Sequence, residues 1–271
     1  MNMRKRSVLL FAISVTFIAA ITISGVFLKE AAMVTDFSRS NLAPCGRYLF
    51  GTDFMGRNML PRTLCGLSLS IRIGLLTAFA SAVIALVLGT LAAICGKAVD
   101  SIITWVIDLI MGVPHILLLI LISYACGKGF TGVLVGITLS HWMSLARVIR
   151  GEILQLRESG YVKVAEKLGV SRLVIAYKHM LPHVLPQFIV GLILLFPHAI
   201  LHEASITFLG FGLPAEQPAV GIILSESMRY LATGQWWVAL FPGMLLVVTV
   251  MLFDLAGKSL RRILDPSSAH E

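Results

Sequence analysis

Six long apolar stretches constrain this chain more than any other feature, because each approaches the length of a bilayer crossing. The stretches cover residues 8–27, 73–94, 103–126, 132–145, 185–208 and 237–255. A hydrocarbon core about 30 Å thick needs about 20 apolar residues in a helix. Three stretches contain a proline, which a membrane helix tolerates when neighbouring groups satisfy the freed backbone. The pattern predicts an all-α polytopic membrane protein with about six transmembrane helices.

Charged residues are too scarce for a water-soluble surface. Only 13% of the 271 residues are charged and 57% are apolar, whereas a soluble domain carries about 25% charged residues. This excludes soluble enzymes, disordered chains and small disulfide scaffolds. The net charge of +8 does not indicate nucleic-acid binding, because the basic residues lie beside the apolar stretches and not on a soluble face. The four cysteines lack metal-finger spacing, and a bridge between Cys45 and Cys65 is left open.

The basic residues also predict how the chain is oriented in the membrane. Arg4-Lys5-Arg6 precedes a first apolar stretch that is longer than the apolar core of a signal peptide. The positive-inside rule then places the N-terminus on the cytosolic side of the inner (cytoplasmic) membrane, and six spans place the C-terminus there too. We divide the chain into residues 1–72, with the first span and an external segment, and residues 73–271, a five-span core with a cytosolic loop at about 146–183.

The cytosolic loop carries a helical pattern outside the bilayer. One face of its predicted helix is apolar and consists of Tyr161, Val164, Ala165 and Leu168. Gly169 comes next, where the end of a helix favours a left-handed residue. A second helix is predicted from Ser171 through His179 and ends on the approach to Pro182. An apolar stripe outside the membrane needs a partner, so the loop predicts a docking platform for a soluble protein.

Several motifs in the chain occur in an order that resembles a known family. The loop keeps Gly169 and Leu181-Pro182 at the spacing found in the coupling loop of ABC-importer permeases, with Lys163-Val164-Ala165 in place of their Glu-Ala-Ala. Similar matches occur in the segments 50–58, 208–218 and 241–266. Together these motifs resemble the dipeptide, oligopeptide and nickel branch of that family over almost the whole chain.

The resemblance implies a transport subunit and not an enzyme. In the family, two homologous permeases pair in the lipid bilayer, two ABC ATPase subunits hydrolyse ATP-Mg beneath them, and an extracytoplasmic binding protein delivers the substrate. No cofactor is expected on this chain, because Gly257-Lys258-Ser259 ends like a P-loop but Leu252 occupies the position of the first glycine. The residues that the resemblance implies in ATPase coupling are Tyr161, Val164, Ala165, Glu166, Leu168, Gly169, Leu181 and Pro182.

Ionisable residues inside the apolar stretches are costly and therefore indicate function or ion pairing. Asp108 and Asp254 lie near the ends of spans, where ion pairs are expected. His115 follows a proline and is expected to satisfy a freed carbonyl. His198 and His202 share one helix face, and imidazole suits nickel, copper, zinc and iron. With Glu203 beside them, these two histidines are the candidate substrate-path or metal residues, and hydrogen bonding to neighbouring helices is the alternative.

The resemblance also orders the possible substrates. The nickel permeases of the family carry a similar His-x-x-x-His and share Ser140-His141-Trp142. Nickel or a nickel chelate is therefore the first expectation, and dipeptides or oligopeptides are the second. An ion-coupled secondary transporter is the rival of another class. It predicts internal repeats, and none is detectable in the sequence.

Overall fold

The computed structural model describes residues 3–264, in which helices dominate and no β-strand occurs. The last residues of the 241–266 match and the C-terminus itself lie outside the described residues. The helices are α1 Met3–Phe27, α2 Lys29–Met33, α3 Met59–Ile94, α4 Lys97–Met111, α5 His115–Ala125, α6 Gly129–Arg157, α7 Gly160–Lys167, α8 Arg172–Ile175, α9 Leu181–Phe208, α10 Val220–Leu231 and α11 Trp237–Leu264. Five helices are long and apolar enough to cross a membrane, and α4 with α5 makes a sixth crossing if the bent pair counts as one. The predicted all-α polytopic fold is confirmed.

Helix α3 forms the centre of the bundle and packs against α1, α6 and α9. Its contact with α6 depends on small residues: a Cβ added at Gly89 would lie 2.7 Å from the carbonyl oxygen of Ala146. Small side chains allow membrane helices to approach closely, which gains van der Waals contact that lipid cannot replace. The helix starts at Met59, well before the predicted apolar stretch, because the side chain of Asn58 accepts a hydrogen bond from the backbone N–H of Leu60 at 3.1 Å.

The predicted span 103–126 is wrong as a single continuous helix. Helices α4 and α5 meet at an angle of 98°, with a break at Gly112–Pro114. Pro114 has extended backbone angles (φ −53°, ψ 121°) and has no N–H to donate to the preceding turn. Its ring also restricts the residue before it. The bend turns the first residue of α5, His115, toward α6 and α9.

The predicted span 132–145 is the shortest in the sequence, yet it lies inside a helix of 29 residues. The polar end of α6 is tied to its neighbours by arginines. Arg150 donates to both carboxylate oxygens of Asp100 at 2.5 and 2.6 Å, and Arg157 donates to the carbonyl oxygen of Ala93 at 2.7 Å. These bonds extend the helix beyond its apolar part.

The expected ion pairs near span ends are also present. Asp108 pairs with Arg147 of α6, and Asp254 accepts a hydrogen bond from Lys258 at 2.6 Å. Neither aspartate is left as an unpaired charge among the apolar helices. Cys45 is exposed, Cys65 is buried in α3, and both are free thiols.

The loop between α6 and α9 folds as the sequence predicts at its first turn but not at its end. Gly169 has φ +78°, which confirms the left-handed residue after α7. The second helix does not stop before Pro182. A π-helical turn at Ala176–Met180 joins α8 to α9, so that residues Arg172–Phe208 form one helical span. Proline is tolerated at the first turn of a helix, where its missing N–H costs little, and Pro182 occupies that position in α9.

The segment between α2 and α3 is fixed by a cluster of buried charges. The carboxylate of Asp53 accepts hydrogen bonds from Nε of Arg57 at 2.7 Å, from Nη1 of Arg62 at 2.8 Å, and from the backbone N–H groups of Met55 and Arg57 at 2.9 Å. Arg62 also donates to Glu226 of α10 at 2.6 Å. The cluster therefore ties the segment to α3 and α10.

Candidate functional site

A large cavity opens where the break between α4 and α5 faces α6 and α9. Its volume is about 780 Å³, within the range of about 300–1,000 Å³ typical of small-molecule sites. The break between the two helices, Gly112–Pro114, forms part of its wall. The residues that line the cavity are Ile110, Met111, Gly112, Val113, Pro114, His115, Ser140, His141, Met143, Ser144, Leu145, Val148, Gln187, Val190, Gly191, Leu194, Leu195, His198, His202 and Arg261.

Three histidines from three helices meet at the wall of this cavity. His115 begins α5, His141 lies in the middle of α6, and His202 lies in α9. The ring centroids are 4.5 Å apart for His115 and His202, 4.8 Å for His115 and His141, and 5.1 Å for His141 and His202. One ring nitrogen from each residue lies within 4.8 Å of the other two. We call these residues the three-histidine cluster.

The hydrogen bonds of His141 define which of its nitrogens is available. Nδ1 lies 2.9 Å from the carbonyl oxygen of Ile137 and 3.0 Å from the hydroxyl oxygen of Ser140. A carbonyl can only accept, so the tautomer that satisfies this contact carries its proton on Nδ1. Nε2 is then left with a free lone pair. This atom is buried and has no hydrogen-bond partner among the described residues, and the residue is only 8% exposed. A bond from the second ring nitrogen to a carbonyl is the arrangement that orients histidine as a metal ligand.

The two other candidates near His202 have different surroundings. His198 is exposed and lines the same cavity but lies outside the three-histidine cluster. Glu203 is fully buried and does not line the cavity. Its Oε1 accepts a hydrogen bond from Thr207 at 3.0 Å, and the Thr207 hydroxyl accepts from the backbone N–H of Leu213 at 3.2 Å. Glu203 therefore bonds within α9, and Thr207 connects it to the loop that follows.

A second candidate surface lies on α7 and α8, away from the cavity. Val162 is fully buried and attaches α7 to the rest of the chain. The large side chains on the other side of this helix pair are exposed, and Ala165 is half-buried. The five most exposed apolar residues of this segment are Tyr161 (50%), Val164 (56%), Leu168 (76%), Leu173 (68%) and Tyr177 (73%). We call these five residues the apolar face of α7 and α8.

The remaining residues that the sequence assigns to coupling lie at the borders of this face. Glu166 is exposed on α7, and Gly169 forms the turn into α8. Leu181 and Pro182 lie at the start of α9, with Leu181 half-buried and Pro182 exposed. Lys163 forms an exposed ion pair with Glu158 at 2.8 Å. The hydrogen bond from Lys163 lowers the pKa of the Glu158 carboxyl.

Residues 85–270 match the family of binding-protein-dependent transport system inner membrane components. Over 251 residues the chain is also 31% identical to the dipeptide transport system permease protein DppC of Bacillus subtilis, a match that covers 92% of this chain and 78% of that protein. This chain belongs to the binding-protein-dependent permease family. It is a multi-pass membrane subunit of an ABC importer.

Other permeases of the family show the same similarity. The oligopeptide permease OppC of Bacillus subtilis is 30% identical over 269 residues, which cover 97% of this chain and 88% of that protein. A putative peptide permease of Brucella suis is 37% identical over 229 residues, covering 84% and 77%. A structure of the MetNI methionine ABC transporter in inward-facing conformations superimposes with a TM-score of 0.63 over 76% of this chain and 98% of that chain. At 19% identity, this likeness concerns the permease fold alone.

The sequence alone does not predict that His115 and His141 belong to this site. His115 was expected to satisfy a carbonyl freed by Pro114, but the bend packs its ring against those of His141 and His202. In the sequence, His141 stands out only as part of the Ser140-His141-Trp142 motif. The signal that was available is that each histidine lies inside an apolar stretch, where a polar side chain needs a partner. Whether these histidines meet depends on how α5, α6 and α9 cross, and the sequence does not show this.

Proposed function

We propose that this permease is one of two membrane subunits of an ATP-driven importer of short peptides, and that separate ATPase subunits bind its apolar face of α7 and α8. The observation that carries the proposal is the exposure of large apolar side chains on α7, which lies outside the candidate spans, and at the start of the helical span that follows it. Tyr161, Val164 and Leu168 are at least half exposed, and such a patch on a charged, short helix is typical of a docking surface.

The same helices connect the docking surface to the cavity. Because α8, the π-helical turn and α9 form one helical span from Arg172 to Phe208, a displacement of α8 moves His202 and the cavity wall with it. Closure of two ATPases would push the paired docking surfaces together and open the cavity to the other side of the membrane. This is a rigid-body transition about packed helices, of the kind that couples a distant binding event to access.

Two observations support a peptide as the substrate. The similar permeases named above are dipeptide, oligopeptide and peptide transport proteins. The cavity of about 780 Å³ is far larger than a bare ion needs, and much of its lining is apolar, as in sites for small organic molecules. Nickel or a nickel chelate is the second candidate, and the three-histidine cluster is the observation that favours it.

The proposal includes an arrangement in the membrane. We infer that both termini and the apolar face of α7 and α8 are cytosolic, in accordance with the basic residues at Arg4, Lys5 and Arg6. The segment 28–58 and the loop 209–219 then face the extracytoplasmic side, where a substrate-binding protein delivers the cargo. A second, homologous permease supplies the other half of the pathway.

The test is co-purification of the ATPase with variants of the docking surface. Leu168→Glu and Val164→Glu introduce a charge into the centre of the apolar face and should reduce ATPase recovery and uptake of a labelled dipeptide at least tenfold, with membrane levels unchanged. Lys163→Gln is the matched control, because Lys163 lies on the opposite side of α7 and its exposed ion pair contributes little. Full ATPase recovery with both glutamate variants would refute the docking surface.

A further inference from the structure

We propose that the three-histidine cluster binds a divalent first-row transition metal ion that enters the cavity as a complex with a small carboxylate-bearing ligand such as a short peptide. The inference rests on the proposed function, because it takes the cavity as the substrate pathway. It adds that His115, His141 and His202 contact the metal of the cargo, whereas His198 does not.

The number and spacing of the nitrogens support a metal ion. Three imidazoles from three different helices converge, and one nitrogen of each lies within 4.8 Å of the others. Metal–nitrogen bonds of about 2.0–2.1 Å hold neighbouring ligands about 3.3 Å apart, so rotation of the side chains is enough to close the set around an ion. Imidazole selects nickel, copper, zinc and iron over the hard cations that prefer oxygen ligands.

The hydrogen bonding of His141 is the second, independent observation. Its Nδ1–H is used by the carbonyl oxygen of Ile137 at 2.9 Å, and its Nε2 is buried with no partner among the described residues. A buried polar atom without a hydrogen bond costs free energy. A metal ion would use this lone pair, and the Ile137 carbonyl already holds the ring in the orientation that a ligand needs.

The charges around the cavity indicate why the metal would arrive as a complex. Among the described residues that line the cavity none is an aspartate or glutamate, so this lining offers a divalent ion no negative charge. An uncompensated dication among mostly apolar side chains is disfavoured. A ligand with carboxylate groups would supply the missing charge, and Arg261, which lines the same cavity, would attract it.

The experiment uses the purified importer, with both permeases and the ATPases, in lipid nanodiscs. Co²⁺ alone and Co²⁺ with diglycine are the probes, because the visible absorption of Co²⁺ reports nitrogen ligands. We expect one site that diglycine strengthens. His115→Ala, His202→Ala and His141→Asn should each weaken Co²⁺ binding at least tenfold. The asparagine amide can still donate to the Ile137 carbonyl, so His141→Asn retains the fold while it removes Nε2. His198→Ala is the matched control from the same cavity and should change binding less than twofold.

Two results would overturn the metal site: unchanged Co²⁺ affinity in His141→Asn, or an equal loss in His198→Ala. The proposed function is tested separately with Val148→Trp, which places a bulky ring in the cavity and should block uptake of a metal-free dipeptide. If this variant transports normally while the three histidines still bind Co²⁺, the pathway assignment fails and the metal site stands. If Val148→Trp blocks uptake while the histidine variants bind Co²⁺ as the wild type does, the pathway stands and the metal site fails.

Discussion

The effect of a single charged residue on the stability of this permease depends on the groups that surround it in the fold. Asp53 is an example: its carboxylate is 4% exposed and accepts bonds from two arginines, so a charge that would be costly alone is compensated. Asp36, 17 positions earlier in the chain, makes an exposed ion pair with Arg39 at 2.9 Å. Hydrogen bonding from Ser38 lowers the pKa of Asp36, yet water can replace these bonds. An aspartate therefore contributes more to the stability of the fold at position 53 than at position 36.

Replacement of Asp53 should destabilise the protein strongly. Asp53→Ala removes the buried carboxylate that Arg57 and Arg62 share, so that only the less buried Glu226 still pairs with both guanidinium groups. Breaking a buried ion pair costs about 3–5 kcal/mol. We expect a clear drop in the thermal unfolding midpoint of the detergent-solubilised protein. Asp36→Ala is the control and should leave the midpoint nearly unchanged. Equal midpoints for the two variants would show that the buried cluster does not stabilise the fold.

A second residue prediction concerns the turn between α7 and α8. Gly169 has φ +78°, and a Cβ there would contact nothing within 4 Å, so backbone strain is the only obstacle to substitution. A β-branched residue in this conformation is strained by about 1–3 kcal/mol. Gly169→Val should therefore displace α7 relative to α8 and lower ATPase co-purification, with normal insertion into the membrane. Gly169→Asn, which tolerates the left-handed region, should retain most of it. Normal co-purification of the valine variant would contradict the coupling role.

For the helices, the sequence predicts which ones form better than where they bend and where they end. Apolar length located every span, because a bilayer imposes that length on any helix. It did not predict the 98° bend between α4 and α5, because a proline in a membrane helix is compatible with a mild kink as well as a break. It also predicts that the second helix of the loop ends before Pro182, whereas the π-helical turn at Ala176–Met180 continues that helix into α9.

The close contact between α3 and α6 can be tested with a single substitution. Even a methyl group at Gly89 would lie 2.7 Å from the Ala146 carbonyl oxygen and 3.2 Å from the Ile149 side chain, so Gly89→Val should force the helices apart. Overpacking of this kind costs about 1–3 kcal/mol and should reduce both the unfolding midpoint and transport. Gly151→Ala is the control, because α6 is open there and alanine favours a helix. A valine variant as stable as the wild type would mean that α3 and α6 are less tightly packed.

In the candidate site, too, the sequence predicts what lies on one helix but not which helices meet. The spacing of His198 and His202 correctly indicates one helix face, but the partners of His202 come from α5 and α6, 87 and 61 positions earlier in the chain. No local periodicity connects them. Local spacing, by contrast, predicts Tyr161, Val164 and Leu168 of the apolar face of α7 and α8, because a helix and its glycine turn are determined by neighbouring residues. It does not predict the part of the face that Leu173 and Tyr177 form.

For the whole molecule, orientation in the membrane is the first prediction. Gly160 and Glu216 are both exposed and lie on opposite sides of the bilayer if α9 crosses it once. In a background without reactive native cysteines, Gly160→Cys should react with impermeant thiol reagents only from the cytosolic side, and Glu216→Cys only from outside. Labelling of both positions from one side would contradict the orientation of α9.

The central claim is that this permease moves its cargo only when ATPases act on it, and transport in proteoliposomes tests that claim most directly. The complete importer, reconstituted with its substrate-binding protein, should accumulate a labelled dipeptide only when ATP is present on the side of the ATPases. Accumulation should persist when ionophores dissipate ion gradients and should fall at least tenfold with Leu168→Glu. Accumulation by the permeases alone, driven by an ion gradient and without ATP, would contradict the account and identify a secondary transporter.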